Sequence, residues 1–199
     1  MNLLIEQSAF DLRLGGRYCL ANRRDAQGNR REFACRTSKV SPFKMMVDVP
    51  VIGNIGERVI SYFDALGKLD GWITESLKDG FMFELALTHA AREQLASKMS
   101  WLDKQQRDAV TDAREQERII PAMPHSELIF ADGTTETCLV IDMSASGVAV
   151  SADTQPAIGT PLAVGRTIGR VVRHFREGFA VKFVELQERE RLESLIIRA

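Results

Sequence analysis

One strand-and-turn pattern is written twice in this chain, and that repeat limits the folds open to it. Gly71-Trp-Ile-Thr-Glu-Ser-Leu-Lys-Asp-Gly80-Phe81 can be laid on Gly169-Arg-Val-Val-Arg-His-Phe-Arg-Glu-Gly178-Phe179 at an offset of 98 positions. Pro50-Val-Ile-Gly53 falls on Pro156-Ala-Ile-Gly159 at an offset of 106, and Cys35 lies 103 positions before Cys138. Arg13-Leu-Gly-Gly-Arg17 lies 101 positions before Arg114-Glu-Gln-Glu-Arg118. Gly-ended strands are common to hairpin proteins in general. Matches in the same order at similar offsets are what tandem copies of one β-fold would give. The repeat predicts a mainly β protein: two tandem six-stranded β-barrels, each followed by a helix.

Local patterning agrees. In the first half, Gly16–Asn22, Arg31–Ser38, Phe43–Val49, Arg58–Phe63, Gly71–Ser76 and Phe81–Leu87 read as strands. Asp25 to Asn29 and Leu77 to Gly80 read as turns, the second through an Asp-Gly pair suited to positive φ. Thr88 is placed to cap a helix through Ala90, Ala91, Leu95, Met99 and Leu102, whose spacing gives one apolar face. From Asp103 to Arg118 apolar residues nearly vanish, which fits a solvated helix or a flexible linker. Strands return at Ser126–Phe130, Thr137–Ile141, Val148–Ser151, Pro161–Val164, Ile168–Phe175 and Phe179–Val184. Glu185–Arg198, with Leu192, Leu195 and Ile196 on one face, is expected to be an amphipathic helix closing the second barrel. The expected domains are residues 1–102 (barrel and trailing helix), a polar linker at 103–118, and 112–199 (second barrel and C-terminal helix).

Composition excludes several classes. With 199 residues, 45% of them hydrophobic and 27% charged, the chain suits one large or two small soluble domains. A formal net charge of -1 argues against binding nucleic-acid polymers through a global positive field, and 7% aromatics argues against single-strand stacking platforms. Three cysteines without a CxxC and three dispersed histidines argue against a disulfide framework or a metal site. Met1 to Gly15 has no signal-peptide pattern, and no apolar run approaches the roughly 18–20 residues of a membrane span. The expected setting is the cytoplasm, without membrane insertion. No P-loop, GxSxG or HExxH is present, so no enzyme is expected and no cofactor is implied.

Two short motifs carry the chemistry. Arg114-x-x-x-Arg118 precedes Asp142-Met-Ser144-Ala-Ser-Gly147 by 24 positions, counted from Arg118 to Asp142. A strand, a hairpin and a helix then follow. The region 112–199 thereby resembles the PilZ domain family, whose pattern is RxxxR followed by (D/N)xSxxG. The resemblance implies a receptor for cyclic di-GMP, with Arg114, Arg118, Asp142, Ser144 and Gly147 as binding residues. The residue types suit that ligand. An arginine fork meets guanine O6 and N7 bidentately, and its plane stacks on a purine while it pairs with phosphate. Asp142 can accept from guanine N1–H and N2–H, Ser144 offers a hydroxyl, and Gly147 suits a close backbone approach. The blander alternatives are an i, i+4 arginine pair on a solvated helix and a simple side-chain turn at Asp142-x-Ser144.

The first copy departs from the pattern. If Ser41 stands for Ser144, Lys39 occupies the Asp142 position and Lys44 the Gly147 position, so this copy is expected to be degenerate and to hold no independent site. Because the arginine pair lies in the connection between the barrels, binding is expected to change the interdomain arrangement. The expected output is regulation of motility or of exopolysaccharide and biofilm formation through an unidentified effector protein, with a homodimer possible. The alternative function is a protein–protein adaptor on barrels that no longer bind nucleotide.

Overall fold

The fold is described from a computed structural model of the chain, for residues 9–25, 27–108 and 118–197. The chain divides into two compact units, residues 1–112 and 113–199.

In the first unit, period-two alternation turns Tyr18, Leu20, Phe33, Cys35, Met45, Val47, Val59, Ile73, Phe81 and Phe83 to one side of their strands, and all are buried in one core. The strands are β1 (Gly15–Leu20), β2 (Phe33–Val40), β3 (Lys44–Asp48), β4 (Arg58–Phe63), β5 (Gly67–Ser76) and β6 (Gly80–Leu85). They close into an antiparallel barrel in the order β1-β2-β3-β6-β5-β4. Helix α1 (His89–Asp108) starts where expected: the Thr88 hydroxyl accepts the Ala91 N–H at 3.3 Å. Its buried residues, Leu95 and Met99, join the same core.

The second unit repeats the plan with β7 (His125–Phe130), β8 (Thr135–Ser144), β9 (Gly147–Ser151), β10 (Pro161–Val164), β11 (Thr167–Phe175) and β12 (Gly178–Phe183). Its barrel closes in the order β7-β8-β9-β12-β11-β10, which is the first order strand for strand. Its core holds Leu128, Cys138, Val140, Met143, Val150, Val164, Val171, Phe179 and Val181. The helix expected over Glu185–Arg198 is shorter: a 3-10 turn at Arg189–Arg191 and then α2 (Leu192–Ile196). That single turn still delivers Leu192 and Ile196 to the core, and the Ile196 carbonyl accepts the Ser126 hydroxyl.

The barrels also share their irregularities. Register shifts by one residue at Ser38 and at Ile141, in β2 and β8, and again at Thr74 and at Val172, in β5 and β11. Four corresponding bulges in two six-stranded barrels support duplication more strongly than glycine spacing does.

Two details of the sequence alignment change. Gly56 and Gly159 both have positive φ and donate N–H to Ile73 and Val171, so Gly159 corresponds to Gly56 and not to Gly53. Gly80 and Gly178 do not have the positive φ expected of a turn residue. They stand where a Cβ would run into the carbonyls of Val47 and Val150 on the neighbouring strand.

Candidate functional site

The site begins with one extra residue in β8. Cys138 and Val140 point into the core, so strict alternation would turn Asp142 inward as well. The bulge at Ile141 inverts the count. Asp142 faces out, opposite Ala149, and Met143 enters the core. Ser144 follows opposite Gly147, joined by the two-residue turn Ala145-Ser146. The Ser144 hydroxyl lies 3.4 Å from the Gly147 carbonyl and from the Ser146 hydroxyl. Gly147 is required by packing: a Cβ there would lie 2.6 Å from the Val181 carbonyl oxygen on β12. Its glycine therefore serves the strand pairing as well as the outer surface.

The chain preceding β7 supplies the arginine. Ile119 packs on the core and exchanges two backbone hydrogen bonds with Met143, 2.8 Å and 2.9 Å, beside Asp142. That bridge sets Arg118 over β8, where its Nη1 donates to Asp142 Oδ2 at 3.1 Å. The Arg118 side chain is 61% exposed and that of Asp142 24%, so the carboxylate is anchored and the guanidinium is on the solvent side. Arg114 lies outside the described residues.

Arg118, Asp142, Ser144 and Gly147 all line one open groove of about 220 Å³ on the outside of the barrel. Its floor is a row of residues in direct register across four neighbouring strands: Asp142, Ala149, Ala180 and Arg173. A second row, Ser144, Gly147 and Lys182, runs beside it. The centre is flat because Gly147, Ala149 and Ala180 carry almost no side chain. Sequence reasoning missed Ala149, Ala180, Arg173 and Lys182. The available signal was small residues at outward strand positions, but selecting them needs the register.

At the corresponding row the first barrel carries Lys39, Met46, Met82 and Glu75. Two methionines stand where the second barrel has alanines, and the end charges are reversed. Lys39, Ser41 and Lys44 do fall at the positions of Asp142, Ser144 and Gly147. The pairing of Arg13 and Arg17 with Arg114 and Arg118 does not hold. The backbone bridge equivalent to Ile119–Met143 is Phe10–Val40, which puts Ala9 at the Arg118 position. Arg13 instead pairs with Asp48 at 3.3 Å, and Arg17 lies in β1 with Glu32 at 3.0 Å.

Among the described residues no helix is long and apolar enough to cross a membrane. Residues 112–198 match the PilZ domain family. No curated protein matches the chain. Several solved structures are similar. The Borreliella burgdorferi PlzA protein in complex with c-di-GMP is 11% identical, with 95% of this chain and 93% of that one covered and a TM-score of 0.32. YcgR from Escherichia coli in complex with c-di-GMP is 10% identical, over 96% and 90%, at 0.27. The K. pneumonia MrkH–c-di-GMP complex is 11% identical, over 87% and 80%, at 0.27.

Proposed function

Residues 112–198 match the PilZ domain family, and from that match we propose that the chain is a cyclic di-GMP receptor and not an enzyme. The observation that carries this reading is the Arg118–Asp142 pair at the edge of a groove floored by Gly147, Ala149 and Ala180. A floor without side chains accepts a planar purine. The carboxylate at its edge accepts the guanine N1–H and N2–H. The guanidinium takes guanine O6 and N7 or a phosphate, a charge-assisted contact in each case. Arg114 joins Arg118 by its place in the motif, and the Ser144 hydroxyl adds a polar contact at the groove end.

Arg118 and Asp142 pair with each other. An exposed pair of this kind is worth about 0–1 kcal/mol, so opening it costs little against the contacts that a guanine nucleotide offers both partners.

The output proposed is a change in the arrangement of the two barrels as the arginine-bearing segment is drawn onto the ligand. An effector protein in the control of motility, or of exopolysaccharide and biofilm formation, would read that change. Small-angle scattering with and without saturating cyclic di-GMP tests the switch, and identical profiles would remove it.

The alternative, a protein–protein adaptor, has an observation of its own. Ile129, Ala163, Ile168 and Val184 form a connected row across β7, β10, β11 and the end of β12, and Ile168 and Val184 are well exposed.

Calorimetric titration with cyclic di-GMP, cyclic di-AMP, GTP and a short oligonucleotide decides between these. Saturable heat from cyclic di-GMP with little from the others is expected. Silence with all four would leave the adaptor.

A further inference from the structure

The far side of the groove carries two cations that the motif does not include. Arg173 on β11 and Lys182 on β12 line the same groove as Arg118 and Asp142, and both are exposed. Neither head group has an ion pair or hydrogen bond among the described residues. Other arginines of this barrel are engaged with protein: Arg170 donates to the Gly159 carbonyl at 3.1 Å and Arg166 to the Ser194 carbonyl at 2.7 Å. The two lie diagonally across the β11–β12 pair, Arg173 opposite Ala180 and Lys182 opposite Arg170, so like charges gather on this face and favour an anion beside them.

Placement adds a second line of support. Arg173 lies in the row Asp142, Ala149, Ala180, Arg173, so it stands three strand spacings from Asp142, or about 14 Å at about 4.8 Å each. It faces outward only because of the bulge at Val172, since Val171 points into the core. The N-terminal barrel keeps that bulge, at Thr74, but has Glu75 at the Arg173 position and Glu84 at the Lys182 position. Both cations are therefore carboxylates in the copy whose floor is filled by Met46 and Met82. Among the described residues, the groove of the second barrel sets Arg118, Arg173 and Lys182 against Asp142 alone, a surplus of two positive charges.

We propose that Arg173 and Lys182 form a second anion-binding wall, which holds the phosphate of the dinucleotide farther from Arg118. This rests on the reading of the groove as a cyclic di-GMP site. The Arg118 side recognises one guanine and its neighbouring phosphate, the small residues carry the ring, and the far wall neutralises the remaining charge.

The test is calorimetry with cyclic di-GMP at low and raised salt on the full chain and on Arg173→Gln, Lys182→Gln, their double variant, Arg173→Lys and Arg118→Ala. Circular dichroism on each confirms folding. Each neutralisation is expected to weaken binding about tenfold, the double variant about a hundredfold, and the salt dependence to flatten. Arg173→Lys keeps the charge and is expected to stay within about threefold of the parent. Should the parent bind and Arg118→Ala lose binding, while both glutamine variants match the parent in affinity and salt dependence, the second wall is wrong and the receptor stands. Absence of binding by the parent chain itself removes the receptor reading and the wall with it.

Discussion

Asp142 and Lys39 occupy the same place in the two barrels and carry opposite charges. Each follows a one-residue bulge, and each pairs with an outward-facing residue of the next strand, Ala149 in one case and Met46 in the other. On the proposed reading, the side chains beside them decide which barrel has room for a ligand. Ala149→Met together with Ala180→Met would give the second barrel the floor of the first without altering any charge. Both positions face outward, Ala149 beneath its neighbours at 8% exposure, so an unfolding curve recorded beside the titration is expected to show that the barrel persists. Cyclic di-GMP binding is expected to fall at least a hundredfold by calorimetry. Undiminished affinity would mean that the ligand does not lie on this floor.

Arg118 is held by an exposed pair with Asp142 and not by the core. Arg118→Ala is therefore expected to leave the melting temperature within a degree or two. Affinity is expected to drop by about 1.5–3 kcal/mol, the worth of a hydrogen bond to a charged group. Arg114→Ala is expected to do the same. On the proposed reading Asp142→Ala takes away the carboxylate that accepts from guanine, so cyclic di-GMP and cyclic di-AMP are expected to bind more alike. A titration in which all three variants match the parent would discard the site.

Gly147→Ala is expected to act on stability first. The added methyl meets backbone, the Val181 carbonyl oxygen at 2.6 Å and the Lys182 Cα at 3.4 Å, so β9 or β12 has to move. The expected cost is about 1–3 kcal/mol, read from denaturant unfolding of the C-terminal barrel. Lys44 stands at the matching position of the first barrel, so the constraint belongs to the β9–β12 pairing and not to the topology. An unchanged unfolding midpoint would show that the strands can part without cost.

Cys35 and Cys138 are fully enclosed, and burial pushes both thiols well above their ordinary range, with a smaller contribution from Asp48 at Cys35 and from Glu136 and Glu127 at Cys138. Both stay neutral and inaccessible at pH 8. A thiol-reactive chromophore is expected to leave them unmodified in the folded protein and to titrate them once denaturant is added. Rapid native labelling of Cys138 would mean that the second core opens readily.

Much of the architecture was legible in the residues. Arg58–Phe63 and Pro161–Val164 are strands with the same ends by pattern and in the fold. Thr88 caps its helix as its chemistry suggests, and Lys39, Ser41 and Lys44 align as expected. The bulges were not legible. In the second barrel their trace is a doubled apolar pair, Val140-Ile141 or Val171-Val172, which looks the same as a strand buried on both faces; in the first, Thr37-Ser38 and Ile73-Thr74 leave not even that. Nor was the arm of the first barrel, because Arg13 and Arg17 mimic an RxxxR while the backbone bridge that defines the arm lies earlier, at Phe10. The terminal helix is shorter than its composition suggests because Glu185 to Glu188 have ordinary helical composition but lie before the 3-10 turn, while Leu192 and Ile196 are buried in the core with Leu195 and Ile197 packed against it.

The duplicated bulges also imply that presentation and recognition are inherited separately. The N-terminal barrel already turns Lys39 and Glu75 out to solvent by the same backbone device that turns out Asp142 and Arg173. What differs at that row is residue type and not geometry, so exchanging Lys39, Met46, Met82 and Glu75 for their counterparts would reproduce the row of the second barrel on a scaffold already shaped to carry it.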